Sequence, residues 1–269
     1  SLSRESFSGD VDAELNRAVD WLRAEKIERV ILTGDFHLAT QMVGADTSDF
    51  YPAMTDETAG VTIAARWSRT ARRLHTDFRV SVGLVNGKRC LGGMLELLMH
   101  CHWLVAVDGA QLGMPEVTLP VVPGMEGCHW PFRRAAREHW PRLLSMLLEG
   151  NPVEADAAVG WLVDFTGGLD DALKVAYSVA CGGDHGLAMR GLEEDPLDGV
   201  TQAIGEMAAA SSPGMEAGRK AILDTIRAAT SVNLDEALEI QARHSGGFMM
   251  SDACRTGIIG STWKKTVLL

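Results

Sequence analysis

The eleven residues CLGGMLELLMH, Cys90–His100, decide how this chain is read. Two glycines lead into a run that is apolar on nearly every side, with one glutamate, Glu96, inside it. A helix starting near Gly93 leaves its first backbone NH groups without intrahelical partners, and the helix dipole adds partial positive charge there. That end is an anion site, and a glycine lets a ligand oxygen approach the backbone without meeting a Cβ. Glu96 lies one turn on, so its side chain can share a face with the exposed NH. Leu95, Leu97, Leu98 and Met99 surround it with apolar groups. An ionised carboxylate among them is costly to bury unless it is paired or its pKa is raised, and a raised pKa suits proton transfer. The bland alternative is a first-turn acid favoured by the dipole or set on a narrow solvent-facing stripe.

Outward from this stretch the chain alternates helices and strands. Val11, Leu15, Val19 and Leu22 recur at helical spacing, and ERVILTG, Glu28–Gly34, is a β-branched run ending in glycine. Residues 35–52 show no clean period, and Glu57–His75 reads as a long helix with arginines on its outer face. FRVSVGLVNG, Phe78–Gly87, is a buried strand closed by an Asn-Gly turn, and WLVAV, Trp103–Val107, is another. RLLSMLLEG, PVEADAAVGWLVDF and LDDALKVAYSVA read as two helices, a short strand and a third helix. Residues 181–199, rich in Gly, Asp and Glu, read as a linker. The last third is helical, with starts after Pro213 and Asn233. The alternation predicts an α/β core.

At 269 residues and 29.0 kDa the chain suits one extended domain, or a domain with an appendage. Hydrophobic residues make up 46% and charged ones 23%, with no apolar run near the roughly 20 residues of a membrane helix. The net charge of −11 opposes binding to nucleic acid or anionic lipid. Five scattered cysteines without a CxxC spacing imply free thiols and a cytoplasmic location. No signal-peptide pattern opens the chain, which begins at Ser1 without methionine.

A second acid completes the pattern. Glu116 directly follows Pro115 in DGAQLGMPEVTLPVVPG, a turn bounded by glycine and proline. Together, NGKRCLGGMLELLMHCHW (Asn86–Trp103) and AQLGMPEVTLPVVPGMEG (Ala110–Gly127) resemble the enoyl-CoA hydratase/isomerase (crotonase) superfamily. MVGADTSDF, Met42–Phe50, matches its other signature loop, and the resemblance covers nearly the whole chain. It implies an α/β crotonase-like spiral over residues 1–195 and a helical oligomerisation region over 196–269, packed across subunits of a homotrimer or homohexamer. The NH groups of Ala45 and Gly93 would form the oxyanion hole for a thioester carbonyl. Glu96 and Glu116 would be the acid/base pair, the Gly124 NH would place the water, and Met94 would border the acyl pocket. The implied substrate is an acyl-CoA, with coenzyme A as part of the substrate, no other cofactor and no metal. The implied reaction is that of a lyase: reversible hydration of a 2-enoyl-CoA to a 3-hydroxyacyl-CoA. Isomerisation, C–C hydrolysis of a β-oxo acyl-CoA and a catalytically silent scaffold are the alternatives.

Several residues depart from the family pattern. Met94 stands where a small residue is usual, His102 where aspartate is common, and Pro120 where glycine is common. Glu126 puts a charge into a turn that is usually glycine-rich. The N-terminus looks short, as if cut from a longer polypeptide or ending in a divergent edge. His100 and His102, two apart on one helix, point away from each other and make a poor metal pair. The cysteines of the two CHW repeats and the tryptophans read as core residues. Arg133, Arg134 and Arg137, and Lys264 with Lys265, read as solvated helix faces, with CoA phosphates as the rival reading.

Overall fold

Ser8 starts the first helix by accepting a hydrogen bond from the Val11 amide. The computed structural model describes residues 6–35, 41–207 and 215–267. A two-residue strand, β1 (Ser6–Phe7), leads into helix α1 (Gly9–Ala24), which buries the expected stripe of Val11, Leu15 and Val19. Strands β2 (Arg29–Thr33) and β3 (Gln41–Ala45) follow, then α2 (Glu57–Thr76), capped by Asp56. Next come β4 (Val80–Val85), β5 (Arg89–Leu91), α3 (Gly93–Met99), β6 (Trp103–Val107) and β7 (Gln111–Gly113). The chain continues through α4 (Trp130–Arg134), α5 (Trp140–Glu149), β8 (Val153–Glu154), β9 (Phe165–Gly167) and α6 (Leu169–Cys181). Helices α7 (Val200–Met207), α8 (Glu216–Thr230), α9 (Leu234–Met249) and α10 (Asp252–Val267) complete it.

From β1 to β7 successive strands alternate between two sheets, and β8 then joins β7 in its sheet before β9 returns to the other. One has the order β2-β4-β6-β9 and the other β1-β3-β5-β7-β8, parallel throughout except for β7 with β8. Each turn of the chain therefore adds one strand to each sheet, which makes a spiral. Val82 sits between Ile31 and Trp103 in the first sheet, and Cys90 between Met42 and Leu112 in the second. Both sheets need the whole spiral for their pairing, so neither is a local hairpin.

Two segments differ from their sequence reading. Residues 152–165 form β8, a 3₁₀ turn at Ala155–Ala158 and then β9, with no α-helix, because Val153 and Glu154 pair with Leu112 and Gln111 at a sheet edge. The aperiodic 35–52 stretch holds β3 and two 3₁₀ turns, while residues 36–40 lie outside the described residues. The helix start expected after Pro213 also lies outside them, and α8 begins at Glu216.

Residues 182–199 contain no helix or strand, yet they are tied down. Arg190 donates to the Asp164 carboxylate and to the carbonyls of Trp161 and Leu162. Arg133 donates to the carbonyls of Glu193 and Asp195. The final helices pack on their own core: Ile222, Ile226, Met249, Cys254 and Ile258 share one buried cluster with Leu95, Leu97 and Leu112. Where α9 crosses α2, the backbones touch, and a Cβ on Gly60 would stand 2.8 Å from the Cα of Gly246. Pro120, one of the departures, packs against a different tail helix: a Cβ on Gly257 of α10 would stand 2.6 Å from its Cδ.

Candidate active site

The end of β5 is forced close to the end of β3. Gly92 has φ +54°, a left-handed value that disfavours any side chain, and a Cβ there would stand 2.6 Å from Glu116 Oε1. A Cβ on Gly93 would stand 3.3 Å from the Ala45 amide nitrogen, and one on Gly44 3.7 Å from the Gly93 amide nitrogen. Ala45 and Gly93 are thus neighbours at the mouths of adjacent strands, with Gly93 opening α3 as the sequence predicts.

All seven residues of α3 are buried. The helix lies on β4 at Gly83, where an added Cβ would meet Leu98 Cβ at 3.1 Å. Its terminal carbonyls are capped by the Arg134 guanidinium, which donates to Met99, Cys101 and His102, and by Trp130 Nε1, 3.0 Å from Met99 O. Arg133 is equally committed, donating to four backbone carbonyls, and the two arginines are 3% and 7% exposed. The solvated-face and phosphate readings of these two residues are therefore corrected: they are internal braces. Only Arg137 of that trio remains exposed, with its guanidinium over the Trp140 ring at 5.6 Å.

Glu96 is 2% exposed, and its Oε1 accepts from the amides of Met125 at 2.9 Å and Gly127 at 2.8 Å. The Gly124 amide adds a further backbone contribution to the same carboxylate. Glu116 sits in the 3₁₀ turn Pro115–Thr118 after β7, 8% exposed, with its Oε2 buried and without a hydrogen-bond partner. Burial raises Glu96 to about 7 against the opposing backbone hydrogen bonds. Burial, and after it the charge of Glu96, raises Glu116 to about 8. The two interact, so their protons leave as a pair, and near neutrality the pair can hold one acid and one base. Gly127 is required beside them, since a Cβ there would stand 2.8 Å from Glu96 Oε1 and 2.4 Å from Met114 Cε.

Met94 is buried at the start of α3, 8% exposed, within the main apolar cluster. The Met125 methyl also lies at the glycines: it would be 2.9 Å from a Cβ on Gly93. The turn carrying Met125 is held from the tail. Gln241 Nε2 donates to Pro123 O at 2.6 Å while its Oε1 accepts from the Cys128 amide at 3.2 Å, and Ser245 Oγ donates to Val122 O at 3.3 Å. Sequence reading missed these two polar residues, whose only signal was their position on an otherwise small-residue face of α9.

It also missed Arg72. Read as one of several arginines on an outer helix face, Arg72 turns inward and donates from Nε to Glu126, 2.7 Å from Oε1 and 3.1 Å from Oε2. His102 is corrected too, because α3 ends at Met99 and His102 lies beyond it. Its Nδ1 accepts from the Ser81 amide at 3.1 Å, and its ring stacks on His75 at 4.4 Å. Among the described residues, no group of three or more His, Cys, Asp and Glu side chains is arranged to hold a metal ion, and no helix is long and apolar enough to cross a membrane.

No family model matches the chain. It is 26% identical over 218 residues to the fatty acid oxidation complex subunit alpha of Acinetobacter baumannii, a match covering 76% of this chain and 30% of that protein. The chain thus spans less than a third of that curated relative. It is 25% identical over 168 residues to a probable enoyl-CoA hydratase of Bacillus subtilis, covering 62% of each. Among solved structures, a carnitinyl-CoA dehydratase from Mycobacterium thermoresistibile superposes with a TM-score of 0.69 at 18% identity, over 96% of this chain and 83% of that one. The fold is the crotonase fold, and the chain resembles the enoyl-CoA hydratase/isomerase superfamily.

Proposed function

We propose that this crotonase-fold chain is an acyl-CoA enzyme that reversibly adds water to a 2-enoyl-CoA, giving a 3-hydroxyacyl-CoA through a stabilised enolate. The observation that carries this reading is a pair of buried, mutually interacting carboxylates, Glu116 packed against Gly92 and Glu96 one turn along α3 from Gly93, next to the glycines beside Ala45. The thioester carbonyl accepts from the NH groups of Ala45 and Gly93. Donors fixed where the oxyanion develops stabilise it by roughly 3–4 kcal/mol in a site shielded from water. The ionised member of the pair removes a proton from water as the oxygen bonds to C3, and the protonated member delivers a proton to C2. Atoms balance with no further reagent: the substrate gains one water, and the pair ends with its proton exchanged between carboxylates.

In this reading the Gly124 NH places the water, Met94 borders the acyl chain, and coenzyme A arrives as part of the substrate, with no other cofactor. The protein works as a homotrimer or homohexamer in the cytoplasm. Likeness to relatives whose names are fatty acid oxidation complex subunit alpha and probable enoyl-CoA hydratase supports the substrate class.

The test is to incubate the chain with crotonyl-CoA and a panel of longer and cyclic enoyl-CoAs and to weigh the products. Gain of one water, lost in both Glu96→Gln and Glu116→Gln, is the expected result. A shifted double bond at unchanged mass would replace hydration with isomerisation on the same oxyanion hole, and hydration surviving in both variants would refute the acid/base assignment.

A further inference from the structure

Glu126 is 0% exposed, and it occupies a left-handed backbone conformation, φ +70°, between Met125 and Gly127. A left-handed residue makes the amides on either side of it converge into an anion-binding concavity. Here the converging amides are those of Met125 and Gly127, and the anion they grip is Glu96 Oε1. Glycine is the usual residue for such a conformation, because a side chain is strained there. Here the strained residue is a glutamate whose side chain is anchored, and Arg72 supplies the anchor. Arg72 is itself fixed by Asp235 Oδ1 at 2.8 Å, by the Leu234 carbonyl and by the Trp130 ring 5.9 Å away.

Two histidines close the arrangement. His100 Nδ1 is 2.8 Å from Glu96 O, and since a carbonyl only accepts, that nitrogen carries the proton. His100 Nε2 faces Glu126 Oε2 at 3.6 Å, a contact that favours that carboxylate when this nitrogen carries a proton as well. His129 Nδ1 accepts from Arg133 Nε at 3.3 Å, so Nε2 carries the proton of its neutral ring and faces the same oxygen at 3.7 Å. Both Nε2 atoms are buried with no closer partner, and both aim at Glu126.

We infer that Glu126, clamped by Arg72, is a positioning residue for Glu96: it fixes the turn whose amides grip that carboxylate and brings its own Arg72-paired carboxylate beside it. This deepens the proposed function and rests on it only for the role of Glu96. The charged and titratable groups around the two acids come from every element packed there. Glu96 is faced by Glu116, Glu126 and Cys128. Glu126 is faced by Arg72, His100 and His129, with Arg133 beyond His129 and Asp235 on the far side of Arg72. The two acids are pushed opposite ways. Burial alone would raise Glu126, but His100, His129 and Arg72 outweigh it and hold the carboxyl below its ordinary range. That fixed charge adds to the burial that raises Glu96.

The experiment titrates Glu96 in the unliganded full chain by NMR of carboxyl-13C glutamate, the signal being assigned by its loss in Glu96→Gln. Glu126→Gln keeps the side chain's shape and one acceptor for Arg72 while removing the charge. The Glu96 midpoint is expected to fall by about one pH unit, a tenfold loss of proton affinity. The acidic limb of the hydration rate should move in the same direction. Should that variant fail to fold, Arg72→Gln/Glu126→Gln replaces the buried ion pair by an amide pair, and a smaller fall in the same direction is expected. A midpoint unchanged in whichever variant folds, even with a lowered melting temperature, would make Glu126 merely structural and overturn the inference. The titration needs no turnover, so a chain that hydrates nothing would sink the proposed function while this measurement still judged Glu126.

Discussion

Replacing Glu116 by glutamine should shift stability in a way that depends on pH, from a small loss near pH 5 to a gain near pH 8. The carboxyl is 8% exposed, its Oε2 has no hydrogen-bond partner, and burial followed by the Glu96 charge raises it from 4.5 to about 8. Between those two values the folded chain keeps a proton that the unfolded chain has released, so stability falls as pH rises through the window. A difference of that size corresponds to about 4–5 kcal/mol at about 1.4 kcal/mol per unit. Relaxation and sharing of the load with Glu96 reduce the effect of the charge to about 3 kcal/mol between about pH 5 and pH 8. The glutamine NH₂ takes the place of an oxygen that has no hydrogen-bond partner, which costs about 1–2 kcal/mol at every pH. Glu116→Gln is therefore expected to be slightly less stable than the parent near pH 5 and about 1–2 kcal/mol more stable near pH 8. Urea unfolding of both proteins at several pH values measures the difference, and hydration by the variant should fall by roughly 10²–10⁴. A stability difference that does not change with pH would refute the buried, proton-retaining carboxyl.

The glycines give three further expectations. Gly92→Ala must accommodate a positive φ and a Cβ 2.6 Å from Glu116 Oε1, so it should cost about 2–4 kcal/mol in chemical denaturation. In Gly93→Ala the new Cβ meets the mobile end of Met125 at 2.9 Å and crowds the Ala45 amide at 3.3 Å. Its melting temperature should change little while turnover falls by about 10²–10³. Gly246→Ala drives a Cβ to 2.4 Å from the Val61 backbone nitrogen, where nothing can swing aside. It should cost about 3 kcal/mol and speed proteolysis within α9, and an unchanged melting curve would disprove the tight crossing of α2 and α9.

How far the sequence could be read depended on how local each signal was. The stripe of Val11, Leu15 and Val19, the helix read over 57–75, and the strands around Val82 and Val105 carry their own periodicity, and all appear where expected. Strands β3, β5, β7 and β8 have two to five residues each and owe their conformation to neighbours far along the chain, so no window of sequence announces them. The site divides in the same way. Glycines followed by Glu96, and Pro115 followed by Glu116, are short motifs legible in place. The contact of Arg72 with Glu126 spans 54 positions, and on its own helix Arg72 is indistinguishable from its solvated neighbours Arg66 and Arg69. Arg133 and Arg134 mislead for the same reason, because the carbonyls that absorb their charge lie up to 99 residues away.

The grip of Gln241 and Ser245 on the turn around Pro123 bears on how the protein is made. A ribosome that has delivered Glu96 and Glu116 has released both acids but not the residues that hold the wall behind them. A nascent chain arrested before α9 can wind its sheets, since every strand among the described residues precedes residue 168, yet the amides of Met125 and Gly127 lack their support. On the proposed function, competence would then wait for α9 to be made, well after the last strand has paired.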